Sequence, residues 1–163
     1  MTQASQHSTD QGIFHAISFR VGAEEYGLSL DEVQEIITLP RITRVPRAPD
    51  YVCGVINLHG NVVPVLDMAR RFGIGSTRVG DAARIVVVDG DDEVVGLLAE
   101  SVGRVVKLHE DAIQPPPGLL AGIAAEYLRG VVRTDDRFLI FLNLAASLRA
   151  EGGQEEEVQD DGE

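Results

Sequence analysis

Cysteine, tryptophan and aromatic side chains in general are scarce in this sequence of 163 residues: one cysteine, no tryptophan, 5% aromatics. The single thiol, Cys53, excludes an intramolecular disulfide and a metal site built of cysteine alone. Standing where a strand begins, it reads as a small buried residue. With so few rings, Val, Ile and Leu must build the core, and an apolar fraction of 44% suffices for that. No apolar run approaches the roughly 18 residues that a membrane span needs. The opening MTQASQHSTDQG lacks a basic region followed by an apolar one, so no secretory signal is expected. The expectation is a soluble, cytoplasmic protein without membrane insertion.

Catalytic and metal-binding patterns are missing as well. Among His7, His15, His59 and His109 no pair has H-x-x-x-H spacing, so no metal is expected. There is no G-x-S-x-G, no Gly-rich phosphate loop and no kinase signature. The acidic run Asp89–Asp92 is too short for a calcium loop and lacks its closing Glu, so it reads as a hairpin turn. No catalytic residue and no cofactor is assigned, and no enzymatic activity is expected.

What the sequence does have is a repeat. Residues 51–69, YVCGVINLHGNVVPVLDMA, align without a gap on residues 127–145, YLRGVVRTDDRFLIFLNLA, at an offset of 127 − 51 = 76. A second echo sets 25–37, EYGLSLDEVQEII, against 94–106, VVGLLAESVGRVV, at an offset of 94 − 25 = 69. Two echoes in the same order describe a duplicated small domain. Each 51-type copy reads as strand, turn, strand and helix start. His59–Asn61 makes the first turn and Asp135–Asp136 the second. Asp67 caps a helix over Met68–Phe72, and Asn143 caps one over Leu144–Leu148. Pro64 lacks an N–H, which suits an edge strand or a bulge.

Elsewhere the pattern is mostly β. Phe14–Val21 and Tyr26–Leu30 read as a hairpin around Gly22–Glu25. Asp31–Ile37 is ambiguous, and a short turn at Asp31–Glu32 leading into a strand from Val33 is favoured. Pro40, Pro46 and Pro49 force an extended loop. Arg84–Asp89 and Glu93–Ala99 form another hairpin, and Val102–Leu108 a further strand. The Gly-rich connector 73–83 marks the expected boundary between the two halves. Many short strands with regular turns suggest small barrels or sandwiches.

The formal net charge is −12, and residues 150–163 hold seven acids and no base, which leaves −12 + 7 = −5 for the rest. That acidic segment and residues 1–12 are expected to be disordered, with a folded body over 13–149. Arg41, Arg44, Arg47, Arg70 and Arg71 are dispersed and read as a solvated face. No basic patch is visible, so no nucleic-acid partner is expected.

The ordered set EEYGLSLDEVQEI, RVPRAPDYVCGVINLHGNVVPVLDM, EVVGLLAESVGRVV and EYLRGVV…FLIFLNL resembles the CheW-type coupling proteins of bacterial chemosensory arrays, over roughly residues 13–148. The resemblance implies a mainly β fold of two SH3-like five-stranded barrels packed side by side, with short helices. It implies an adaptor, recruited to membrane-associated arrays, that bridges methyl-accepting chemoreceptor cytoplasmic tips and the regulatory domain of a CheA-type histidine kinase. Residue by residue, it carries receptor or kinase binding to Val33, Glu35, Gly54, His59, Gly60, Gly96, Val102 and Gly130. At position 59 the family usually has Arg, a permanent planar cation that His does not replace at neutral pH. The alternatives are a divergent scaffold of a non-motility chemosensory pathway and a small-ligand-binding β-barrel, which would need convergent polar groups in a concave pocket.

Overall fold

β-Branched and apolar runs broken by glycine turns give ten strands in the computed structural model, which describes residues 12–90, 93–115, 127–135 and 137–148. They are β1 (Ile13–Val21), β2 (Glu24–Ser29), β3 (Val33–Thr38), β4 (Val52–Leu58), β5 (Asn61–Asp67), β6 (Arg84–Asp89), β7 (Val94–Ala99), β8 (Ser101–His109), β9 (Leu128–Thr134) and β10 (Arg137–Leu142). Two short helices, α1 (Met68–Arg71) and α2 (144–148), follow β5 and β10. The strands expected from the sequence are all present, and the turn before β3 is a 3-10 turn over Leu30–Glu32. The segments expected to lack order, 1–12 and 150–163, fall outside the described residues except for Gly12.

The strands form two five-stranded sheets, ordered β8-β1-β2-β10-β9 and β3-β6-β7-β5-β4. Each is an SH3-like barrel. The first, built from both ends of the folded chain, is here the terminal barrel; the second is the central barrel. Adding or subtracting five from every strand number converts one order into the other. The duplication seen in the sequence is therefore a duplication of topology.

The halves are not the barrels, however, and the boundary expected near 73–83 does not separate them. β1 and β2 join β8, β9 and β10, while β6 and β7 join β3, β4 and β5. The chain passes into the central barrel at Leu30–Glu32 and out of it at Glu100. One 3-10 turn over Leu30–Glu32, flanked by extended Ser29 and Val33 (ψ 135° and 124°), carries the chain from β2 to β3 without pairing the two strands as a hairpin. Segment 73–83 is a connector within the central barrel. Thr77 ties it down, its backbone N–H and its hydroxyl both donating to the Asp67 carboxylate.

Period-two alternation sorts the apolar residues into three cores. Ile85 and Val87 on β6 point into the central barrel with Ile56, Val63 and Val65. Val86 and Val88 on the same strand point the other way, into a core shared by both barrels with Phe19, Tyr26, Leu28 and Leu97. Ala16, Leu108, Val132, Leu139 and Phe141 fill the terminal barrel. A strand buried on both faces reads as a continuous apolar run, which explains the sequence IVVV in β6.

The two helices meet near the relation that exchanges the barrels. Arg71 of α1 lies between the rings of Tyr51 and Tyr127, 4.8 Å from each centroid, and its guanidinium donates to the Ser147 carbonyl. Tyr51 and Tyr127 are repeat equivalents, and so are Arg71 and Ser147 (147 − 71 = 76). Arg71 is thus a clamp between the copies, not part of a solvated face. Asp67 caps α1 as expected, and Asn143 caps α2 through Ala146. Pro64 departs from expectation, since β5 lies inside its sheet. It precedes Val65, where pairing with β7 begins, so its missing N–H interrupts no bond of that ladder.

Candidate functional site

A bulge builds the site. The pairing of β3 with β6 steps from Val33↔Val88 to Glu35↔Val87 and leaves Gln34 unmatched. Bulges re-aim side chains. Here Gln34 donates to the Asp89 carboxylate at 2.6 Å, and Glu35 turns toward the β4–β5 hairpin. That hairpin closes through a two-residue turn, His59–Gly60, with φ of 54° and 86°. Positive φ at both positions is the primed turn that matches strand twist, and histidine is among the residues that tolerate it. Asn57 Oδ1 accepts from the Gly60 N–H at 3.0 Å and fixes the turn.

The result brings two of the predicted residues together: His59 Nε2 lies 2.9 Å from Glu35 Oε2. Their side chains are 72% and 37% exposed, and the adjacent Val62 is 75% exposed. An exposed pair of this kind contributes little to stability. Its groups are free to exchange partners, and the neighbouring apolar surface is open to burial. Leu58, Val94 and Glu93 complete a shallow concavity of about 230 Å³.

The other predicted residues stand elsewhere. Val33 and Val102 are repeat equivalents (102 − 33 = 69), both half-buried against the shared core. Gly54, Gly96 and Gly130 are buried. Isolated bridges Thr43↔Val55 and Gln114↔Val131 close the two barrels. A Cβ on Gly54 would lie 2.2 Å from the Thr43 carbonyl oxygen, and one on Gly130 2.3 Å from that of Gln114. At Gly96 it would meet Ile85 at 2.7 Å inside the central barrel. These three glycines give the chain room to close and fill its barrels.

Sequence reasoning passed over a second concavity, related to the first by the repeat. Shifted by 69 or 76 positions, Glu35 becomes Arg104, His59 becomes Asp135 and Val62 becomes Phe138. Arg104 and Asp135 line a hollow of about 680 Å³ on the terminal barrel, and Phe138 is 63% exposed. The two offsets, applied to the site residues, were the signal that could have found it. Arg44, Arg47 and Arg70, read as dispersed, share a further hollow with Cys53. Burial first, and then the Asp67 charge, push the half-buried Cys53 thiol up to about 11, which keeps it protonated and unreactive at neutral pH. Among the described residues no group of three His, Cys, Asp or Glu side chains could hold a metal, and no helix is long and apolar enough to cross a membrane.

A rigid double barrel with an exposed polar pair beside exposed apolar side chains has the build of a binding module. Residues 15–152 match the family model of the CheW-like domain, and the chain belongs to that family. It is 34% identical over 144 residues to the chemotaxis protein CheW of Rhizobium meliloti, covering 88% of this chain and 92% of that one. It is 35% identical over 130 residues to the protein FrzA of Myxococcus xanthus, covering 80% and 79%. The crystal structure of the scaffolding protein TtCheW from Thermoanaerobacter tengcongensis superposes with a TM-score of 0.77 at 32% identity, covering 82% of this chain and 86% of that one.

Proposed function

We propose that this protein is a non-enzymatic adaptor that couples chemoreceptor cytoplasmic tips to a CheA-type histidine kinase through the kinase's regulatory domain. It works in the cytoplasm, at membrane-associated arrays. The observation that carries the reading is the exposed Glu35–His59 pair beside exposed Val62 on the central barrel. Relatives named as chemotaxis and scaffolding proteins support it. Glu35, His59 and Gly60 face the partner. Val33, Gly54, Gly96, Val102 and Gly130 act by keeping the barrels in shape. A small-ligand barrel is disfavoured, because both interiors are filled by side chains.

Binding of a receptor-tip fragment and of a kinase regulatory domain to wild type and Glu35→Lys tests this. Reversal of a charge at a polar interface leaves like charges facing each other. The variant is expected to lose binding to at least one partner at least tenfold, while its melting curve stays within about 0.5 kcal/mol of wild type. Unchanged binding to both partners removes Glu35 from the interface.

A further inference from the structure

The hollow on the terminal barrel is cationic. Four side chains from three strands converge on it: Arg104 and Lys107 of β8, Arg133 of β9 and Arg137 of β10. Arg137 lies 3.6 Å from Glu25. The side chains of Arg104, Lys107 and Arg133 form no ion pair or side-chain hydrogen bond with any described residue. Two carboxylates, Glu25 and Asp135, also line the hollow, so among the described residues it carries four positive charges against two negative. A bulge sets the arrangement, since β1–β8 pairing steps from Ile17↔Val105 to Phe19↔Val102. Gly103 lies so close to Ser18 there that a Cβ would meet its hydroxyl at 2.2 Å.

The same chain supplies a matching charge. Residues 150–163 contain seven acids and no base. Leu148, the last described residue, packs on the shared core beside Gly90. The 163 − 148 = 15 residues beyond it can span about 50 Å when extended. A body of this size measures roughly 35–40 Å across, so the hollow is within reach. Tethering raises the local concentration of the segment to the order of millimolar, enough for weak charge pairs to fill the site. We infer that residues 150–163 dock in cis on the cationic hollow of the terminal barrel, as an internal acidic ligand held by Arg104, Lys107 and Arg133. Any acidic partner surface would then have to displace this segment. The inference stands on charge and reach, and is independent of the coupling function proposed above.

The sequence makes the test simple, because Lys107 is its only lysine. A zero-length carbodiimide joins an amine to a carboxylate only where the two touch. Treating the full chain at 50 mM salt and mapping the products by mass spectrometry should join Lys107 to an acid within 150–163. A mixture of light and heavy-isotope chains should give only unmixed links, at a yield independent of protein concentration. The yield should collapse at 500 mM salt, where exposed pairs are screened. It should fall about fivefold in Arg104→Gln/Arg133→Gln, with the circular dichroism spectrum unchanged to show that the fold is intact. If that double variant fails to fold, a full-length variant with the seven acids changed to their amides replaces it, and links from Lys107 to Glu25 or Asp135, which the docked segment shields in wild type, should rise. Wild-type links only to Glu25, Asp135 or the neighbouring Glu110 overturn the inference. So do mixed-isotope links, which place the segment on a second copy, and so does a yield indifferent to salt.

Discussion

The two barrels share a topology, and their strands carry opposite net charge. The strands of the terminal barrel hold Arg20, Arg104, Lys107, Arg129, Arg133 and Arg137 against Glu24 and Glu25, a balance of 6 − 2 = +4. Those of the central barrel hold Arg84 against Glu35, Asp67 and Asp89, a balance of 1 − 3 = −2. What has stayed alike is what the fold needs: the closing glycines Gly54 and Gly130, the capping pair Asp67 and Asn143, the rings Tyr51 and Tyr127. What has diverged is the exposed corner, where Glu35 and His59 face Arg104 and Asp135 across the repeat. Duplication fixed the scaffold twice and left two surfaces free to differ, one acidic and one basic.

That likeness can be broken first where the barrels depend on each other. Leu97 is fully buried in the shared core. Leu97→Ala should cost about 3–5 kcal/mol. Amide exchange should show β1 and β6 losing protection together. Independent loss in the central barrel alone would mean that the barrels are separate folding units.

The closing glycines come next. Gly54→Ala and Gly130→Ala each set a methyl against a backbone oxygen and should cost about 3 kcal/mol in denaturant titrations. Gly60→Ala is the control. It has φ of 86° but open space around it, and should cost only about 1 kcal/mol.

The caps separate the copies more finely. Asp67 holds Thr77 as well as its own helix, whereas Asn143 holds α2 alone. Asp67→Asn should lose about 2 kcal/mol, against about 1 kcal/mol for Asn143→Ala. Equal losses would show that the connector adds nothing to the central barrel.

The smallest effect lies where the chain changes barrel. Burial pushes the Glu32 carboxyl above its ordinary value of 4.5, Ser29 and Arg129 oppose the shift, and one buried oxygen has no hydrogen-bond partner. A raised pKa means that the folded state binds more protons, so stability is lost as pH rises through the raised value. Glu32→Gln should therefore melt slightly higher than wild type at pH 7, by about 0.5 kcal/mol or less after solvent screening, and the gain should vanish below pH 4.5. A gain that persists in acid would point to packing instead.

Local chemistry made most of this legible in the sequence. β-Branched runs, glycine turns and two caps located every strand and both helices, because these signals act over a few residues. The repeat predicted two like barrels, and the motif run around Gly54–Asp67 identified the family. What stayed hidden is non-local. Arg71 read as a surface cation because Tyr51 lies 20 positions from it in sequence and Tyr127 lies 56 away (71 − 51; 127 − 71). The cationic hollow was missed because Arg104, Lys107, Arg133 and Arg137 are dispersed along the chain and converge only through sheet pairing.

The sequence by itself determined that a small β unit occurs twice and roughly where its strands, turns and helix caps lie. Only the tertiary structure decided which strands pair. A repeat reports likeness between copies, and either copy's β1–β2 hairpin could add to either copy's remaining three strands with the same local geometry. The 3-10 turn at Leu30–Glu32 and the bend at Glu100 carry each copy into the other's barrel, and burying Val86, Val88 and Leu97 against Phe19 and Leu28 holds the exchange in place.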